Sequence, residues 1–76
     1  MKLPVVTGDK MCKVVARLGF IMVHRKGSYT IWKHDDGRIT TIPVHQGKSL
    51  GRGLIKQILA DIDMSVDEFL EILKKA

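Results

Sequence analysis

The chain has 76 residues, a formal net charge of +5 and a single cysteine, Cys12. That length allows one domain, read as 1–76, whose core buries only about 60% of the unfolded surface. One cysteine excludes an internal disulfide, no paired ligand set suggests a structural zinc, and nothing approaches the ~20 apolar residues of a membrane span.

The segment MKLPVVTGDK lacks the apolar run of a signal peptide, so the expected location is cytoplasmic. Charge is uneven: residues 1–56 are net +8 and residues 57–76 net −3. A basic body with an acidic end suits a polyanion-binding surface, although composition alone fits a plain basic protein equally well. Cys12 falls in a helical pattern and reads as a small filler rather than a nucleophile.

Thr7 or Asp9 caps a first helix, in which Met11, Val14, Val15 and Leu18 recur at helical spacing. Gly19 stands where the helix needs a residue with positive φ to end. Lys10, Lys13 and Arg17 fall off the apolar stripe and give the helix a basic outer side. A strand is expected over Phe20–Arg25, then a turn at Lys26-Gly27-Ser28, then a strand over Tyr29–His34 rich in aromatic and β-branched residues. Asp35-Asp36-Gly37 signals a hairpin, and a third strand runs from Arg38 to Ile42 and stops near Pro43.

Residues 45–53, HQGKSLGRG, form a basic glycine-rich loop. Leu54, Ile55, Ile58, Leu59 and Ile62 then restore the helical period. Ser65 and Glu68 match a capping box before a short last helix with Phe69, Leu70 and Leu73 on its apolar side. The expected class is α+β: an α-β-β-β-α order resembling a double-stranded-RNA-binding domain. Its three-stranded antiparallel sheet is covered by helices on one face, and a short C-terminal helix follows. Fold alone assigns no function.

At Gly19-Phe20, Lys26-Gly27-Ser28, Asp36-Gly37-Arg38, Ile42-Pro43-Val44-His45 and Leu54-Ile55-Lys56-Gln57-Ile58-Leu59 the chain resembles the HicA toxins, with the segments in that family's order from Val6 to Phe69. The resemblance implies a small endoribonuclease that cleaves mRNA without a metal or other cofactor. It also implies a HicB antitoxin that binds the toxin and covers its active site.

The family's functional motif is Gly-Ser-His, then two residues, then an aromatic. Gly27, Ser28 and Trp32 match it, but the histidine position holds Tyr29. Metal-free RNA cleavage needs one group to take the 2′-hydroxyl proton and another to protonate the leaving oxygen, and an imidazole does either at neutral pH. A phenol in water is only about 0.1% ionised at pH 7, and reaching its basic form costs roughly 4 kcal/mol.

Three readings stay open. The protein cleaves RNA weakly, with His24 or His45 supplying the imidazole; it binds RNA or a HicB partner without cleaving; or Tyr29 is an inactivating change. A three-residue turn at 26–28 predicts that His24 lies across the hairpin from Thr30.

Lys26, Ser28 and Tyr29 are thus the expected active-site segment, with His24 and His45 as further candidates. Lys10, Lys13, Arg17, Lys48, Arg52 and Lys56 are the expected phosphate contacts. Trp32 is either a stacking platform for a base or a core or sheet-face residue. His34, before the Asp35-Asp36-Gly37 turn, reads as a solvated or turn-bonding residue rather than a catalyst. The loop Gly47–Gly53 lets amides and two cations approach phosphate, but it lacks the spacing of a Walker loop. A DNA-binding regulator fits less well, because the main helices are separated by the whole sheet.

Overall fold

In the computed structural model, which describes residues 3–75, the Thr7 hydroxyl accepts the Lys10 backbone N–H at 3.2 Å and so starts helix α1, Gly8–Arg17. Of the two expected caps Thr7 is the one used, and Asp9 sits in the first turn, where its charge suits the helix dipole. Gly19 ends the helix at φ +97°, a backbone conformation that a side chain resists. Three strands follow, β1 (Ile21–Lys26), β2 (Tyr29–Lys33) and β3 (Ile39–Pro43). They form an antiparallel meander in the order β1-β2-β3. Helices α2 (Arg52–Asp61) and α3 (Val66–Lys75) complete the chain.

Each expected strand is found within a residue or so of its predicted ends. The first hairpin differs in register. Lys26 pairs with Tyr29, leaving only Gly27 and Ser28 in the turn. Gly27 has φ +59°, at the position where a two-residue type II′ hairpin takes glycine. The turn therefore holds two residues rather than three. His24 lies opposite Ile31, and Arg25 takes the place opposite Thr30. A bulge between Met22 and His24 leaves Val23 unpaired.

One sheet face is covered. Met11, Val14 and Val15 of α1, Ile42 of β3, Ile55, Ile58 and Leu59 of α2 and Ile62 just beyond it are all buried. Asp61 ties α2 to the sheet, accepting from the Thr40 hydroxyl and from the Gln57 amide at 3.0 Å each. Helix α3 is more than an appendage: it is as long as α1 and α2, and its Phe69 is wholly buried in the common core. The capping box at its start is formed as expected, with Ser65 and Glu68 exchanging hydrogen bonds at 3.0 and 3.1 Å.

The second hairpin closes through His34 and Arg38, whose backbone groups pair at 2.9 Å, with Gly37 at φ +97°. The His34 ring bonds the turn, its Nδ1 accepting the Asp36 N–H at 3.2 Å, and packs edge-on against Phe20. Arg38 lies over the Phe20 ring, holds Asp36 at 2.7 Å and donates to the Ile62 carbonyl. This end of the sheet is a structural clasp.

Candidate functional site

Residues paired across an antiparallel ladder point to the same face. The covered face therefore takes Arg25, Thr30 and Ile42, and Met22, Trp32 and Thr40. The open face takes three other rungs: Ile21, Lys33 and Ile39; His24, Ile31 and Thr41; Lys26, Tyr29 and Pro43. Burial agrees, with Thr30, Thr40 and Ile42 buried and Ile21, Tyr29 and Ile39 exposed.

The two-residue turn thus puts His24 and Tyr29 on one face. They are diagonal neighbours, roughly 7–8 Å apart by ordinary sheet spacing. The register expected from a three-residue turn would have set them on opposite faces. Lys26 stands directly across from Tyr29 on the same face.

The turn end of the sheet also gathers the loop after β3. The Val44 N–H donates to the Ser28 carbonyl at 2.6 Å, which holds His45 beside the turn. Thr7 bridges to Ser49, and the Leu50 N–H donates to the Val6 carbonyl at 2.7 Å, so the loop carrying Lys48 runs past the start of α1. Helices α1 and α2 both begin at this end, and their positive dipole ends reinforce the cations there. Helix α2 has no acidic residue in its first turn and Gly51 at its cap. Between Lys10 and His34 the sequence has six Lys or Arg and no acidic residue.

The ladder sets Lys26, Tyr29 and His24 on one face beside Ser28, while His45, Lys48 and the first turn of α1 with Lys10 lie at the same end of the sheet on the β3 side. Lys13 is exposed farther along α1. Arg17 lies at the far end of that helix, lining a hollow with Glu68 and Glu71 of α3. The Arg52 Nε donates to the Leu3 carbonyl at 2.9 Å and so anchors the N-terminal segment, while Lys56 is exposed one turn on. Trp32 is half-buried on the helix side, its indole N–H given to the Thr30 hydroxyl at 2.9 Å.

Two supporting residues escaped the sequence reading. Thr30 is a buried hub: its hydroxyl donates to the Ile42 carbonyl at 2.7 Å, accepts from Trp32 and lies 3.7 Å from the Cys12 sulfur. Burial pushes the Cys12 thiol up from its ordinary value, which keeps it protonated and packed. Gly8 packs directly on the Pro43 carbonyl, where any side chain would collide with backbone. Glycine as the first helical residue, immediately after a threonine cap, was the available signal. Among the described residues no group of three or more His, Cys, Asp or Glu is placed to hold a metal ion, and no helix is long and apolar enough to cross a membrane.

The family described as HicA toxin of bacterial toxin-antitoxin matches residues 8–64, three helical turns past the loop and short of α3. No curated protein matches the chain. The match spans most of the sequence, and the chain belongs to the HicA toxin family.

Proposed function

We propose, from membership of the HicA toxin family, that the chain is the RNA-cleaving toxin of a toxin–antitoxin pair. It acts in the cytoplasm on mRNA, needs no metal or small-molecule cofactor, and is held in check by a HicB-like antitoxin protein. The observation that carries this reading is the register of the first hairpin, which sets His24 beside Tyr29 on an open face next to Ser28. The imidazole displaced from the family position is supplied from the neighbouring strand.

In this reading His24 takes the proton of a ribose 2′-hydroxyl. The freed oxygen attacks the adjacent phosphorus, the bond to the 5′-oxygen breaks, and His45 protonates that leaving oxygen. The products are a 2′,3′-cyclic phosphate and a 5′-hydroxyl. Lys26 and the hydroxyls of Ser28 and Tyr29 meet the phosphate oxygens, whose charge builds as the fifth bond forms. Lys10, Lys13, Lys48, Arg52 and Lys56 hold the backbone of the RNA without reading its sequence.

Titration with a single-stranded RNA oligonucleotide tests the binding half. Amide shifts are expected at 24–29 and 44–48, with affinity falling steeply from 50 to 200 mM salt. Shifts confined to the His34–Arg38 end, or salt-independent affinity, would overturn it. Tyr29 at the family histidine position favours a second reading, an RNA- or antitoxin-binding module that does not cleave. That module would bind the oligonucleotide and leave it intact.

A further inference from the structure

Strand β1 is an edge, and it is not defended along its whole length. All six of its residues are exposed, Ile21 at 62% and Val23 at 54%. Among the described residues its only ladder is the one to β2. Alternate residues of an edge strand direct N–H and C=O groups outward, where they template another strand. The other edge, β3, ends in Pro43, which has no N–H to offer.

The chemistry of β1 is split. Ile21, Met22 and Val23 are apolar, and His24, Arg25 and Lys26 are basic. Proteins commonly blunt an edge with cations and a bulge, and both occur here. The cations guard only the half nearest the turn, and the bulge falls at Val23, where the two halves meet. The apolar half is open, and it continues onto the uncovered sheet face through Ile31 and Ile39.

The same charges say what fits. A second copy would bring two Arg25-Lys26 pairs into one interface, between molecules each of net charge +5. An acidic segment over His24–Lys26 meets no carboxylate from β1 or β2, and Asp35 lies at the other end of the edge, beside Ile21 and Val23.

We infer that the β1 edge is a docking site for an extended segment of a protein partner, apolar in one half and acidic in the other, which adds to the sheet as a fourth strand. Main-chain bonds to β1 give the affinity, and carboxylates facing His24–Lys26 fix register and direction. An occupant seated there ends beside His24 and Lys26, one strand from Tyr29, so its acidic half competes with RNA phosphate for the same cations. This deepens the antitoxin part of the proposed function and rests on it for its biological meaning.

The test uses the full chain and two synthetic eight-residue peptides of one composition, valine-rich in one half and glutamate-rich in the other, in opposite order. The peptide whose glutamates face His24–Lys26 is expected to shift the Ile21–Lys26 amides. It should also slow hydrogen exchange at the outward-facing ones, at least tenfold. Methylating alternate backbone nitrogens of that peptide should abolish binding, and Arg25→Glu should weaken it about tenfold.

Binding that survives N-methylation, shifts on α3 instead of β1, no binding at millimolar peptide, or a dimer that already fills the edge would each overturn the inference. RNA affinity measured on the same samples separates the two proposals. An edge that takes no peptide while RNA still binds removes only the docking site. An edge that pairs while RNA does not bind removes only the RNA reading.

Discussion

Thr30 shows how much one hydroxyl carries in a domain this small. It satisfies the Ile42 carbonyl and the Trp32 indole, and so fixes β2 against β3 one residue after Tyr29. Thr30→Val keeps the shape and leaves both partners unpaired. The expected cost is about 1–3 kcal/mol, read as a melting temperature lower by at least several degrees. An unchanged melting temperature would mean that water replaces the hydroxyl. The residue types of the candidate site were legible in the sequence: the glycine turn read at Lys26-Gly27-Ser28, the departure at Tyr29 and the histidines at 24 and 45 all stand out. Which face each side chain takes was not, because one residue more or less in a turn inverts it. Thr30 itself gave no signal, since a threonine in a strand is ordinary until its partners from β3 and α1 are in place.

Among the elements, the helices were the most legible, because caps and apolar spacing act locally. Thr7, Gly19 and the Ser65–Glu68 box all work as their residue types dictate. The weight of α3 was not legible: nothing local tells that Phe69 enters the core shared by the other elements. Two expectations follow for that helix. Ser65→Ala removes the acceptor for the Glu68 N–H and should cost about 1 kcal/mol, roughly 4–8 °C in a domain of this length. Glu68 also carries a pH dependence. The Ser65 backbone N–H, then the Ser65 hydroxyl, hold its carboxyl below the usual glutamate range, and the Arg38 backbone N–H does the same for Asp36. Both contributions are complete above the carboxyls' unfolded values and are lost as pH falls through the lower folded ones. Stability should therefore decline in acid, with the Ser65 amide losing its exchange protection there. Protection independent of pH would show that the box contributes nothing in solution.

At the scale of the molecule, the two ends of the sheet do different work. The His34–Arg38 end is clasped by Phe20, Asp36 and the Ile62 carbonyl. The Gly27-Ser28 end gathers two helix starts, Lys26, Lys48 and His45, with Tyr29 and His24 on the open face beside it. Five of the eight carboxylates lie beyond residue 56, at the end of α2, in the connection after it and on α3. In the proposed reading that polarity favours approach of a polyanion at the turn end. The most direct measurement is cleavage of a labelled mRNA, with chelator present, by the chain, by His24→Ala and by Tyr29→His. The account predicts that the chain cuts slowly to 2′,3′-cyclic phosphate ends, that His24→Ala loses at least a hundredfold, and that Tyr29→His is faster than the chain. If the chain leaves RNA intact and only Tyr29→His cuts, His24 does not replace the missing imidazole and the protein is a binding module.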